Sequence, residues 1–173
     1  MSMTTPTGEL DRRAWVVQVM GWAVERAARR LTGLAEHDVC LNAGGDVLLR
    51  AAPGRPAWRV GVENPGRPGE LLDVLERVDG AVATSGTARR GAHIVDPYAR
   101  RPAEAVRSVT VVGPELLWAD VYATAAVARG ADALDWLAAL DGYAALLVDA
   151  AGRVRATAGW PGTRHRGRVG AGR

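Results

Sequence analysis

The connections between the apolar segments of this chain constrain its fold most, because several are too short to join parallel strands. A parallel pair needs a crossover of a dozen or more residues, whereas an antiparallel pair can close through a tight turn. Gly44-Gly45 separates apolar runs at 39–42 and 47–50, and Ala151-Gly152 separates runs at 143–149 and 153–157. Further extended segments are expected at 58–62, 71–77, 81–84 and 108–112, with Asp79-Gly80 as a turn signal. Helical spacing marks residues 14–34, through Trp15, Val19, Trp22, Val24, Ala27, Ala28 and Leu31, with Gly33 as a stop. Residues 115–129 and 132–140 continue in helical period around Gly130. Between 86 and 102 the chain is irregular and rich in Gly, Pro and Arg, with one apolar break at Ile94-Val95. The reading is α+β: a single mixed α/β domain with a mainly antiparallel sheet and flanking helices. Its expected limits are 13–160, between a flexible N-terminus at 1–12 and a basic flexible tail at 161–173.

With 173 residues the chain can bury one real core. The net charge of +3 suggests nucleic acid only superficially. Arg164, Arg166, Arg168 and Arg173 lie among Gly and Ala near the C-terminus, and no aromatic-interleaved basic stripe accompanies them. No nucleic-acid partner is expected. Cys40 is the single cysteine, which excludes an internal disulfide and a cysteine-rich metal site. Its apolar neighbours Val39 and Leu41 predict a buried small hydrophobe. Residues 1–11 show no signal-peptide pattern, and the apolar stretch at 14–24 is broken by Gln18. The stretch is too short to span a bilayer. The expectation is a cytoplasmic protein with no transmembrane segment, or an exported one if the true start lies upstream.

Several segments could carry chemistry. Asn42-Ala43-Gly44-Gly45-Asp46 can bring backbone amides against a bulky ligand, with Asp46 accepting hydrogen bonds. It can equally be a plain hairpin turn. Thr84-Ser85-Gly86 can donate to phosphate or close a turn. His93 sits in the irregular stretch, where a neutral imidazole could act as a base. Asp96 could orient neighbouring groups, or simply open a turn before Pro97. His37 and His165 read as surface residues. Asp120 and Thr124 lie four apart on an expected helix, hence on one face, and offer hard oxygen ligands of the kind Mg²⁺ takes. The alternative is a helix-start Asp with a Thr bonded back to its own helix.

The order of four segments is more specific than any one of them. LNAGGDVLLR, WRVGVENP, GAVATSGTARRGAHIVDP and SVTVVGPELLWADVYATA together resemble the ApbE-like flavin transferases (FAD:protein FMN transferases), across residues 31–158. The resemblance implies an ApbE-like fold, FAD as substrate and Mg²⁺ as cofactor. It implies transfer of FMN to a Thr or Ser hydroxyl of an acceptor flavoprotein. By motif, Asn42, Gly44, Gly45, Asp46, Thr84, Ser85, Gly86 and Asp96 would bind FAD, His93 would be the catalytic base, and Asp120 and Thr124 would hold the metal. Non-catalytic FAD binding, one half of a split enzyme, and a Mg²⁺-dependent FAD pyrophosphatase are the alternatives.

Two departures accompany the resemblance. The family's Asp-Leu-Gly-Gly and following Lys-Gly are replaced by Asp11-Arg12-Arg13-Ala14-Trp15 and Met20-Gly21. The lysine is thus Met20, and the glycines that allow tight backbone approach are expected to be lost. Relatives also carry a substantial portion ahead of this helix, so the chain reads as N-terminally shortened. A second chain or a second copy completing the pocket is therefore an expected partner.

Overall fold

The computed structural model describes residues 12–34, 36–87, 91 and 93–163. In chain order the elements are α1 (Arg12–Arg29), a 3-10 turn (Thr32–Leu34), β1 (Val39–Ala43), β2 (Asp46–Arg50), β3 (Trp58–Glu63), β4 (Leu71–Arg77), β5 (Asp79–Gly86), β6 (Val95–Asp96), β7 (Arg101–Pro102) and β8 (Val106–Gly113). They continue with α2 (Leu116–Arg129), α3 (Ala133–Ala138), β9 (Ala144–Asp149) and β10 (Val154–Ala156). One six-stranded sheet has the order β1-β2-β5-β8-β9-β10, and every neighbouring pair is antiparallel. Among the described residues β3 pairs with β4 alone, and β6 with β7 alone, as two separate ribbons.

The two-residue period of a strand sends alternate side chains to opposite faces. Ala81, Ala83, Val109, Val111, Ala145 and Leu147 enter a core shared with α2 and α3. Val82, Val112, Leu146 and Val148 enter a second core with Val62 and Leu75 of the β3–β4 ribbon and with Trp160. Both faces are covered, so the central strands read as continuous apolar runs rather than clean alternation. On the second side, Trp160 donates its indole N–H to the buried Asp73 carboxylate at 2.9 Å. Beyond it, the Thr163 amide donates to the Val74 carbonyl at 3.2 Å.

The buried residues of α2 are Leu116, Ala119, Asp120, Ala123, Ala126 and Val127, a stripe at helical spacing. Three of its members are alanines with no exposed surface, in the same core as Ala81 and Ala83 of β5. Small side chains on both partners let the helix axis lie close to the sheet. α2 has no side-chain cap from its own Glu115. Instead Glu25 of α1 reaches across, and its Oε2 accepts the Leu117 N–H at 3.0 Å. This satisfies a donor that the first helical turn leaves without an intrahelical partner.

The structure departs from the sequence reading in several places. Residues 14–34 are not one helix: α1 stops at Arg29, and the Arg30 and Leu31 amides bond three residues back, to Ala27 and Ala28. Thr32 and Gly33 are poor helix formers, and the tightened end is met by Arg50, which donates to the Leu31 and Leu34 carbonyls. Asp79 and Gly80 are not the turn but the first residues of β5, and the chain only bends at Val78, whose carbonyl accepts the Ala51 amide as β4 passes into β5. Gly80 has φ +102, and a Cβ there would sit 2.7 Å from the Gly113 carbonyl oxygen, so close strand approach requires glycine. Cys40 is exposed, not buried. Among the described residues β1 is the edge of the sheet, with β2 its one neighbour, and its side chains alternate between covered Val39 and exposed Cys40. His37 is exposed as expected, while His165 and the arginines from Arg164 onward lie outside the described residues. No helix among the described residues is long and apolar enough to cross a membrane.

The alanine contact yields a direct expectation. Ala123→Leu, placed in a fully buried position of α2, should destabilise the fold by about 1–3 kcal/mol through overpacking. Urea unfolding of the variant measures it, and an unchanged midpoint would mean the helix is not tightly seated.

Candidate functional site

Three neighbouring strand segments end on one side of the sheet. Gly44-Gly45 joins β1 to β2, and the Gly86 end of β5 pairs with Ser108 of β8. Against them lies a cavity of about 400 Å³. The β1–β2 turn lines it with Gly44, Gly45 and Asp46, β5 with Thr84, Ser85 and Gly86, and α2 with Asp120. His93 reaches it from the segment before β6, and Ser108 from β8. Gly61 and Glu63 of β3, with Asn64, Pro65 and Pro68 of the following loop, complete the lining. The cavity thus opens where the sheet, α2 and the β3–β4 ribbon meet.

The turn glycines serve geometry. Gly44 has φ +66 and Gly45 has φ +106, the positive pair that a two-residue hairpin turn demands. A Cβ on Gly45 would meet nothing within 4 Å, so its glycine is required by conformation and not by crowding. Asn42 Oδ1 accepts the Gly45 N–H at 3.1 Å, which pins the turn, and Asn42 itself is not among the cavity residues. The hairpin reading and the ligand-lining reading of this segment are therefore compatible. Gly86 has a different reason: its Cβ position collides with the backbone of Arg107 and Ser108 in the paired strand.

Hydroxyl groups tie the site together. Ser85 and Thr124 share a hydrogen bond at 2.8 Å, which bridges β5 to α2. Thr84 and Thr110 share another at 2.9 Å on the opposite face of the sheet. Thr124 is thereby held one helical turn beyond Asp120, behind Ser85 rather than on the cavity wall. Asp46 and Asp120 are buried, at 8% and 3% exposure. The carboxylate and neighbouring hydroxyl of Asp120 and Thr124 are hard oxygen donors suited to a cation such as Mg²⁺. Among the described residues no group of three or more His, Cys, Asp or Glu side chains forms a metal cluster. Any metal here would depend on hydroxyl, carbonyl, water or substrate oxygens for its remaining ligands.

His93 is exposed at the cavity rim, and its Nδ1 lies 3.0 Å from the Gly91 carbonyl oxygen. A carbonyl only accepts, so in the neutral ring Nδ1 carries the proton and Nε2 keeps its lone pair. Asp96 does not line the cavity. Its Oδ1 accepts the amides of Tyr98 at 2.8 Å and Ala99 at 3.0 Å, shaping the turn between β6 and β7. These bonds, the Ala99 amide foremost and the Tyr98 amide next, hold its carboxyl below the usual carboxylate range.

Sequence reasoning did not single out Gly61, Glu63, Asn64, Pro65, Pro68 or Ser108. The first five lie in or just after the WRVGVENP segment, whose order was informative although no role was assigned to its residues. Gly61 interrupts an alternating strand, which is a signal for close approach. A Cβ there would sit 2.9 Å from Leu71 Cδ2. Ser108 opens a β-branched run and is buried at the strand's cavity end. Gly21, which the sequence keeps beside Met20 although the Gly-Gly pair ahead of it is gone, is given no role of its own by the sequence reading. Its Cβ position is 3.0 Å from Asp120 Oδ2, so α1 and the buried carboxylate meet through a missing side chain.

An antiparallel sheet with helices on one face and a cavity lined by glycines, hydroxyls and carboxylates at the strand ends defines an α+β domain with one mixed polar and apolar pocket at that place. The chain belongs to the ApbE family, whose model matches residues 18–147. The FAD:protein FMN transferase of Rhodobacter capsulatus is 33% identical over 154 residues, covering 83% of this chain and 28% of that protein. Its Salmonella typhimurium counterpart is 29% identical over 142 residues, covering 74% of this chain and 40% of that protein. The ApbE protein of Thermotoga maritima superposes with a TM-score of 0.70 at 29% identity, over 82% of this chain and 50% of that one. Flavin transferase ApbE from Vibrio cholerae gives 0.68 at 27% identity, over 80% and 48%. The chain therefore spans at most about half the length of these relatives.

The turn after His93 gives a pH expectation. The folded carboxyl of Asp96 titrates below its unfolded value of about 3.9, so its contribution is complete above that pH and is lost as pH falls through the lower folded value. Amide NMR signals of Tyr98 and Ala99 should stay constant from neutral pH down to about 4 and shift below it. Asp96→Ala should remove that transition, and a transition that survives the substitution would assign the turn to other forces.

Proposed function

We propose that this domain carries out FAD:protein FMN transfer, moving FMN from FAD to a Thr or Ser hydroxyl of an acceptor flavoprotein with Mg²⁺ as cofactor. The observation that carries the reading is the meeting of His93, Thr84-Ser85-Gly86, Asp46 and Asp120 around one cavity. The name shared by the Rhodobacter and Salmonella relatives supports it. The exposed His93 Nε2 is positioned to take the proton of an acceptor hydroxyl arriving from solvent. The hydroxyl oxygen then bonds to the FMN-side phosphorus, the pyrophosphate P–O bond breaks, and AMP leaves with the electron pair. Gly44-Gly45 and Thr84-Ser85-Gly86 would hold the FAD, with Asp46 accepting from its hydroxyl or amide groups. Asp120, with Thr124 behind Ser85, would hold Mg²⁺, which supplies charge neutralisation at the phosphate oxygens when bound.

The exposure of His93 also leaves the base open to water. Hydrolysis of FAD to FMN and AMP is the corresponding second reaction.

Incubation with FAD, Mg²⁺ and an acceptor flavoprotein should yield covalent flavin visible by in-gel fluorescence. His93→Ala should slow the transfer by about 10²–10⁴-fold, the usual contribution of a general base, without loss of FAD binding. Absence of labelled acceptor with the wild-type domain would contradict the transferase reading. Free FMN and AMP in its place would select the hydrolytic one.

A further inference from the structure

The part of α1 facing α2 carries two residues that the proposed chemistry does not use. Glu25 accepts the Leu117 amide at 3.0 Å in the first turn of α2, three residues before Asp120. Gly21, one turn earlier on α1, lies directly against Asp120: a Cβ there would be 3.0 Å from Oδ2, 3.2 Å from the Asp120 Cβ and 3.4 Å from the Leu116 carbonyl. The Glu25 side chain is itself largely covered, at 12% exposure, and its other oxygen is held by Arg29 at 3.0 Å. The cap of α2 and the packing of its buried carboxylate thus both come from a helix nearly a hundred residues away in sequence.

We infer that Glu25 and Gly21 are positioning residues for Asp120, setting the height and rotation of the first turn of α2 so that the carboxylate faces the cavity in the geometry a divalent cation requires. The inference rests on the metal reading of Asp120 given above. Neither residue is a ligand. Glu25 acts through the Leu117 amide, and Gly21 acts by leaving room. The physical logic is that of outer-shell partners, whose loss commonly weakens metal affinity by about 10–100-fold although the ligands remain. Glycine inside a helix lowers helix propensity. Its presence at position 21 therefore opposes helix stability and answers to the carboxylate it faces.

The test is Mg²⁺ titration by calorimetry in the presence of saturating FAD, with far-UV circular dichroism and thermal unfolding on each variant. Asp120→Asn should abolish Mg²⁺ binding. Glu25→Ala should weaken it by about tenfold or more. Glu25→Gln, whose amide oxygen can still accept from Leu117, should recover most of the loss. Gly21→Ala should keep or raise helix content yet weaken Mg²⁺, a combination that a purely structural role does not produce. Wild-type Mg²⁺ affinity in both Glu25→Ala and Gly21→Ala, alongside loss in Asp120→Asn, would overturn the positioning role and leave the metal reading intact. Unchanged affinity in Asp120→Asn would overturn the metal reading itself. If Glu25→Ala fails to fold, Gly21→Ala and Glu25→Gln decide the question.

Discussion

The close seating of α2 on the sheet is the contact on which the site depends. Ala119, Ala123 and Ala126 on the helix share a core with Ala81 and Ala83 on β5, and none of these five is measurably exposed beyond 1%. Larger side chains on either surface would push the helix outward. At the separation that the alanines allow, the Ser85 and Thr124 hydroxyls reach each other at 2.8 Å, and Asp120 enters the cavity wall. Packing between small residues offers little apolar area by itself. Its value here is distance: it converts two separate elements into one wall carrying a carboxylate and hydroxyls.

The remaining parts of the cavity are held by their own local constraints. The β1–β2 turn is fixed by two positive-φ glycines and by the Asn42 side chain. The Gly86 end of β5 is fixed by its backbone contact with β8, and the rim at His93 by the Gly91 carbonyl. The loop after β3 is closed by Asn64 Oδ1, which accepts the Gly66 amide at 3.0 Å, and by the Asn64 amide, which donates to the Glu70 carbonyl at 2.8 Å. Each wall is therefore shaped before a ligand arrives, which favours binding by lowering the ordering cost.

Much of this was legible in the sequence, for identifiable reasons. Short turns dictated antiparallel pairing, and the extended runs read at 39–42, 47–50 and 71–77 are the strands Val39–Ala43, Asp46–Arg50 and Leu71–Arg77. The order of the four motifs led to the family. What stayed hidden depended on tertiary contact. The exposure of Cys40 follows from β1 being a sheet edge, which no local window reveals. The role of Asp79-Gly80 as strand follows from Gly113 lying against Gly80. The Asn42 and Asp96 side chains accept backbone amides of their adjoining turns, a structural role that the sequence offered as the alternative to ligand binding at Asp96. Asx-type bonding of this kind shares its sequence signature with polar binding loops. Glu63 and Ser108 were missed because their approach to the cavity depends on where the ribbon and β8 sit in space.

The proposed chemistry requires that this cavity take FAD in partnership with a divalent cation. An equilibrium FAD titration of the wild-type domain, followed by flavin fluorescence with and without Mg²⁺, tests that most directly. Saturable binding that tightens when Mg²⁺ is present is the expected result, because a cation held at Asp120 would offset the charge of the FAD phosphates. FAD binding that is indifferent to Mg²⁺, or no binding in either condition, would contradict the proposed chemistry.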